Sequence, residues 1–282
     1  MKHLIVTPYH NEERFIKKTL QAVVNQKELP NYWILINDHS TDQSYLIVEE
    51  YSKNYPWIKN INTSIDKQNR QEGGKIIQLV IDGLKQVDLS EFDVFTKLDA
   101  DITFNDDYFN TILEHFKSND NLGLCGGKIF SKQGENFNDE KKASYHVRGA
   151  NKSYRVSALL KTKCFRPVMG WDGLDEMILM YHGYEVKLLD VPVYQQRLTR
   201  ERFDEVTFYY ENAYGKYKLG HSLPLALIRS VKRMFKKPYF LGGLAYFSGH
   251  IHAMLKREKI IIDKDISKFI NNFHYRRIFR FQ

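Results

Sequence analysis

At 282 residues the chain can bury a substantial core, as one main domain plus an appendage. Its 42 Lys+Arg against 34 Asp+Glu favour anionic partners, such as nucleotide phosphates, anionic lipid or nucleic acid, without choosing among them. With only Cys125 and Cys164, and no partners at metal-ligand spacing, neither a disulfide framework nor a zinc site is expected. The opening MKHLIVTPYHNEE passes directly into an apolar strand and leaves no room for an export signal, so a reduced, cytoplasmic protein is expected.

In chain order, His3 to Thr7 is a short apolar, β-branched strand, and 11–26 carries Phe15, Ile16, Leu20, Val23 and Val24 at helical spacing. Tyr32 to Ile36 reads as a second buried strand, followed by the polar loop NDHSTDQS and a helix through Tyr51. A third strand is expected near Ile58 to Thr63, a helix from Gly73-Gly74-Lys75 to about Val87, and a fourth strand at Asp93 to Leu98. Repeated strand–helix units with fully buried strands predict an α/β fold with a largely parallel sheet covered by helices on both faces. In such a sheet, ligands gather at the carboxyl ends of the strands.

The fourth strand runs into FTKLDADITFND. If it continues through Ala100, its period of two places Asp99 and Asp101 on one face. Two converging carboxylates repel unless donors or a cation neutralise them, and Mg²⁺ or Mn²⁺ takes one or two carboxylates plus substrate phosphates. An exposed turn is the plainer alternative, because Asp is common after strands.

The other strand ends carry TPYHNEE and NDHSTD, and GGK precedes KLDAD in the chain. This ordered set resembles the family-2 inverting glycosyltransferases of the GT-A fold. The resemblance implies a nucleoside-diphosphate sugar donor, with Pro8, Tyr9 and Glu12 under the base and ribose and Asp38 accepting from them. It also implies Lys75 near the sugar-nucleotide, Asp99 at ribose or sugar hydroxyls, and Asp101 holding the metal. Each residue also has a local reading: Glu12 and Glu13 at a helix N-terminus, Asp38 in an Asx turn, Lys75 solvated.

Inverting transfer needs a base that removes the acceptor hydroxyl proton. In RPVMGWDGLDEMILMYHGYEVKLLD, a helix spans about 175–182, Gly183 is its C-cap, and a strand begins near Val186. Asp172 and Asp175 are three apart and can share a face. The resemblance implies an aspartate base opening this helix, which both residues fit. Trp171 reads as a sugar-stacking platform or as core. In YHVRGANKSYRVS, Arg148, Lys152 and Arg155 are candidates for the diphosphate or an anionic acceptor.

The resulting division is a nucleotide-sugar half at 1–105, an acceptor-binding and catalytic half at 106–205, and a basic, aromatic helical extension at 206–282. RSVKRMFKKPYFLGGLAYFSGHIHAML is too short and too polar to span a bilayer. It reads either as an interfacial segment on anionic lipid or as a packed appendage with His250 and His252 on its surface. The expected enzyme transfers a sugar to a carbohydrate or lipid-linked hydroxyl in surface polysaccharide or glycolipid synthesis, in the cytoplasm or at the inner membrane face. No nucleic-acid module is readable. The rivals are a nucleotidyltransferase and a basic binding protein without catalysis.

Overall fold

The computed structural model describes residues 1–63, 74–134, 136–139, 143–198 and 205–279. Two compact units emerge: Met1–Pro167 with Trp171–Thr199, and Val168–Gly170 with Arg200–Gln282.

In the first unit the strands are β1 (His3–Tyr9), β2 (Tyr32–Asn37), β3 (Ile58–Asn62), β4 (Val94–Leu98), β5 (Ile102–Phe104), β6 (Leu122–Gln133), β7 (Asn136–Asp139), β8 (Asn151–Arg155) and β9 (Glu185–Leu198). They form one sheet in the order β3-β2-β1-β4-β8-β6-β9-β5, with β7 on β6. Its helices are α1 (Ile16–Val24), α2 (Ser44–Asn54), α3 (Lys75–Leu84), α4 (Tyr108–Ser118), α5 (Val156–Thr162) and α6 (Trp171–Tyr181). The expected parallel pattern covers β3-β2-β1-β4. Beyond it the sheet is mixed, because β8 enters from a loop, without a helical crossover, and runs antiparallel to both β4 and β6. The sequence halves on either side of residue 105 share this sheet through the antiparallel β5–β9 pair.

The order 3-2-1-4 places a topological switch at β1, whose chain leaves toward β2 on one side while β4 flanks the other. Pairing of β1 with β2 continues to Tyr9↔Asn37, but pairing with β4 stops at Val6↔Lys97. Pro8, which has no N–H to donate, lies just past that stop. The β4 chain then turns away, and the Asp99 N–H donates to the Ala150 carbonyl at 2.8 Å. The sheet therefore splits between the carboxyl ends of β1 and β4.

Beneath the split, Ile5, Ile16, Leu20, Trp33, Leu35, Leu98 and Phe109 belong to one buried cluster. α1 starts at Ile16, later than expected, because 11–15 is a latch to the β2–α2 loop and Asn11 takes φ 51°. The Thr41 N–H donates to the Asn11 side chain at 2.8 Å, the Glu12 N–H to Ser44 at 2.7 Å, and the Gln43 N–H to Glu13 at 3.1 Å. Glu13 is thus a loop brace.

The second unit contains α7 (Glu205–Lys218), α8 (Leu223–Met234), α9 (Leu241–Leu255) and α10 (Lys264–Phe279). The glycines of α9 serve close helix packing. A Cβ on Gly249 would sit 2.1 Å from the Tyr210 carbonyl oxygen of α7, and one on Gly243 would sit 2.6 Å from the Ser230 carbonyl oxygen of α8. His250 is buried, with its ring edge-on to Tyr217 at 5.4 Å, and His252 bonds the Tyr210 hydroxyl. The surface placement expected for His250 is therefore corrected: it lies on the face of α9 that α7 covers. Among the described residues no helix is long and apolar enough to cross a membrane.

Candidate active site

The split between β1 and β4 opens a cleft of ≈ 400 Å³, within the range of small-ligand pockets. β1 supplies Pro8 and Tyr9, followed by His10 and Glu12, the end of β2 supplies Asp38, and the first turns of α3 supply Lys75, Ile76 and Leu79. The turn after β4 supplies Asp99, Ala100 and Asp101, and β9 supplies Gln195 and Arg197. The structure thus brings together seven residues singled out from sequence, Pro8, Tyr9, Glu12, Asp38, Lys75, Asp99 and Asp101. Gly73 lies outside the described residues.

β4 ends at Leu98, so Asp99 and Asp101 converge through a turn and not through strand alternation. The turn is pinned by the Thr19 hydroxyl, which donates to the Ala100 carbonyl at 2.8 Å, and by the Gln196 N–H, which donates to the Asp101 carbonyl at 2.8 Å. Asp99 pairs with the buried Lys97. Asp101 accepts from Gln195 at 3.3 Å and from Arg197 at 3.4 Å. Burial, and then the charge of Asp99, still raise its pKa above the ordinary aspartate range.

Glu12 carries the same signature more strongly. Arg197 donates to one of its carboxylate oxygens, while the other is buried without a partner among the described residues. Burial pushes Glu12 up to about 7 against the pull of Arg197, with Asp101 and Asp99 adding to the rise. Asp38, almost fully buried, pairs with Lys75. Tyr9 lines the cleft at the end of β1. Its ring belongs to the core and its hydroxyl donates to Asn60 at 2.8 Å.

Gln195 and Arg197 were not legible as site residues. Their signal is faint but present: they stand two apart near the end of a strand, hence on one face. Placing them needs the pairing Ile102↔Gln195, a long-range contact.

No cluster of three or more His, Cys, Asp or Glu among the described residues is arranged to hold a metal ion. The pair Asp99 and Asp101 fits the alternative in which one or two carboxylates and the substrate's phosphates share a Mg²⁺ or Mn²⁺ ion. The incompletely balanced charge of Asp101 and the unpartnered oxygen of Glu12 agree with a cation there.

The second acidic site is divided by α6. This helix begins at Trp171, so Asp172 stands half-buried in its first turn, while Asp175 is fully buried one turn on. Lys152 donates to Asp175 at 2.8 and 3.0 Å and to Glu176 at 3.0 Å, and Tyr154 also donates to Asp175. Glu176 further accepts from the Val147 N–H at 2.9 Å and lies 2.9 Å from His146. Burial opposes the charge of Lys152, and Asp175 with Glu176 outweighs that and raises its pKa. Burial also pushes Asp175 up to about 6 against the attraction of Lys152.

Three expectations are corrected, two of them by this cluster. Asp175 does not share an open face with Asp172, because its oxygens are saturated inside the fold. Lys152 is consumed by the same cluster and is no diphosphate ligand. Arg155 donates to the carbonyls of Leu122, Phe116 and Asn119 at 3.0, 2.7 and 2.8 Å, anchoring the end of α4.

Trp171 is buried, with Lys97 Nζ 5.8 Å and Lys152 Nζ 5.7 Å from its ring centroid, so it packs and does not present an open stacking platform. Its edge and the Cβ of Asp172 lie 3.0 and 3.3 Å from where a Cβ on Gly149 would stand. A glycine in RGAN is what lets α6 approach. Arg148 and Asp172 lie outside the lining of the cleft.

Two curated relatives match parts of the chain: the poly-beta-1,6-N-acetyl-D-glucosamine synthase of Staphylococcus epidermidis, 30% identical over 118 residues, and the dTDP-rhamnosyl transferase RfbG of Shigella flexneri, 33% identical over 104 residues. These stretches cover 42% and 36% of this chain but only 26% and 34% of the relatives' own lengths. Among solved structures, S. aureus TarS with UDP-GlcNAc superposes with TM-score 0.57 at 14% identity, covering 91% of this chain and 73% of that one. The Pyrobaculum calidifontis mannosyltransferase PcManGT with GDP-Man and Mn²⁺ gives 0.56 at 11% identity, covering 99% and 81%. These likenesses identify the fold as GT-A, with a helical C-terminal region. The model described as glycosyl transferase family 2 matches residues 4–169, a stretch that carries the split at Pro8, both strand-end loops and the aspartate turn, and the chain belongs to that family.

Proposed function

We propose that this protein is an inverting glycosyltransferase that moves a sugar from a nucleoside-diphosphate donor to a hydroxyl of a carbohydrate or lipid-linked acceptor. The observation that carries the reading is the convergence of Glu12, Asp38, Asp99 and Asp101 with Lys75 and Arg197 in one cleft at the switch point of the sheet. Four carboxylates suit ribose and sugar hydroxyls or a divalent ion, and the two cations suit a diphosphate. Structural neighbours captured with UDP-GlcNAc, and with GDP-Man and Mn²⁺, support the same donor class.

In this reading the backbone at Pro8 and Tyr9 floors the base, Asp38 accepts from base or ribose, and Asp99 orients a ribose or sugar hydroxyl. Arg197 and Lys75 face the diphosphate. Asp101, with Asp99 beside it, would hold Mg²⁺ or Mn²⁺, and such an ion would supply Lewis-acid stabilisation of the departing diphosphate. Asp172 takes the proton of the acceptor hydroxyl as that oxygen bonds to the anomeric carbon and the bond from this carbon to the diphosphate oxygen breaks. Arg148 would serve the acceptor or diphosphate from outside the lining of the cleft, and Trp171 sets the start of α6. The setting is surface polysaccharide or glycolipid synthesis, in the cytoplasm or at the inner face of the cell membrane.

The test is a screen of nucleotide-sugars for metal-dependent release of nucleoside diphosphate, with calorimetry of the matching diphosphate plus Mn²⁺ on wild type and Asp101→Asn. Wild type should bind and turn over, and the variant should lose the metal-dependent part of the affinity. Binding without any release across donors and acceptors would favour a protein without catalysis. Unchanged metal-dependent affinity in Asp101→Asn would remove the metal assignment.

A further inference from the structure

The helices of the second unit carry a one-sided charge. From Glu211 to Glu258 the intervening chain contains no Asp or Glu, while Lys and Arg recur through it. Lys232, Lys236 and Lys237 are exposed and make no ion pair among the described residues.

The same stretch exposes apolar side chains in a pattern. On α8, Leu223, Leu227 and Val231 stand four apart on the exposed side and Phe235 continues the row, while Leu225, Ala226 and Ser230 are buried. The helix therefore has one apolar face that is packed and another that is not. Between α8 and α9 the turn presents Phe235, 75% exposed, Tyr239, Phe240, 66% exposed, and Leu241, and Leu244 follows on α9. The turn is built to hold this shape. The Phe240 N–H donates to Met234 at 3.1 Å, the Gly242 N–H donates to Pro238 at 2.9 Å, and Phe240 is kept at φ 46°.

An exposed apolar patch of this kind marks an interaction site. Two features choose its occupant. Protein interfaces are depleted in lysine, whereas membrane-surface anchors combine aromatic and leucine side chains with Lys and Arg. An interval without acids also complements an anionic surface. We propose that the tip of the α8–α9 hairpin is a lipid anchor. Phe235, Tyr239, Phe240 and Leu241 enter the headgroup boundary, and Lys232, Lys236 and Lys237 contact anionic headgroups.

The test uses the full chain and vesicles of phosphatidylcholine alone or mixed with phosphatidylglycerol, read by co-sedimentation. Wild type should bind the anionic vesicles at least about tenfold more tightly, and about 0.5 M salt should weaken that preference. Replacing Lys232, Lys236 and Lys237 by Glu should cost more than about a hundredfold, since losing each lysine near such a surface is worth about a factor of five and each Glu adds repulsion. Phe235→Ser with Leu241→Ser should lower binding to both vesicle types at any salt. All these positions are exposed, and circular dichroism should match wild type. A neutral Lys→Gln set repeats the charge test if the Glu set is misfolded. No preference for anionic vesicles, or unchanged binding in both variant sets, would overturn the proposal. A lipid-free dimer that Phe235→Ser with Leu241→Ser dissociates would overturn it too, assigning the patch to a second copy. The readout needs neither donor nor acceptor, so it stands apart from the glycosyl-transfer reading.

Discussion

Two groups of charged side chains lie in the first unit, and they differ in how completely each is satisfied. Around Lys152, the ammonium and the carboxylates of Asp175 and Glu176 are fully enclosed, and their bonds converge on one another. Around Arg197, the guanidinium is shared between Glu12 and Asp101, one Glu12 oxygen has no partner among the described residues, and the cleft is open to a ligand. The first group is a closed internal clamp that fixes α6 to β8. The second has spare hydrogen-bonding capacity directed into a cavity, which is what separates a binding site from a structural ion cluster with the same residue types.

If that contrast is right, cutting the closed group should act on stability. Asp175→Ala leaves Glu176 to hold Lys152 and strips Lys152 and the Tyr154 hydroxyl of a shared acceptor in a dry site, and should cost about 3–5 kcal/mol in denaturant unfolding. Donor affinity of the folded fraction should stay near wild type, and a loss of donor affinity without a loss of stability would break the comparison. The next effect belongs to the half-buried neighbour on the same helix. Asp172→Asn should keep stability and donor affinity yet lower single-turnover rates by about a hundredfold or more, which is about 2.7 kcal/mol in activation free energy. Near-normal rates would mean that α6 does not carry the base.

The effect that is smallest at neutral pH sharpens the contrast from a different direction. His3 is buried with an Nδ1 that has no partner among the described residues, yet it stands at the start of β1, at the end away from the cleft, and its Nε2 meets the Thr96 hydroxyl at 2.7 Å. Burial, and then the nearby N-terminal charge, lower its pKa to about 3. A histidine held neutral in the fold contributes stability above its unfolded value near 6.5 that is lost as pH falls toward 3. The limiting slope is about 1.4 kcal/mol per pH unit. His3→Gln should flatten that part of the stability–pH curve and leave donor binding unchanged. An altered donor affinity would mean that an unpartnered buried atom, wherever it points, reports on the site.

The legible part of this molecule is its local part. Three strand ends in a parallel β–α series must come to one edge, so the loops that carry Glu12, Asp38, Asp99 and Asp101 could be placed together from order alone. The mixed half of the sheet was less readable, since β8 and β9 depend on partners far along the chain. Arg197 shows the consequence: nothing beside it in QQRL marks it as a partner of Glu12. Lys152 and Arg155 show the converse, because a basic residue in a polar stretch looks solvated until its carboxylates or carbonyls arrive from other elements. The glycines of α9 carry no local mark of their role, and are contact points for the backbones of α7 and α8.

The stop in β1–β4 pairing before Pro8 bears on the thermodynamics of recognition. Because an imide nitrogen cannot extend the ladder, the gap between these strands is present before any ligand arrives, and its floor is fixed by covalent structure. Association there needs little backbone ordering, and more of the contact free energy appears as affinity. Introducing an N–H at position 8 would let the two strands zip further, narrowing the mouth while adding a sheet bond. This is a trade in which greater rigidity of the scaffold would oppose entry of the donor.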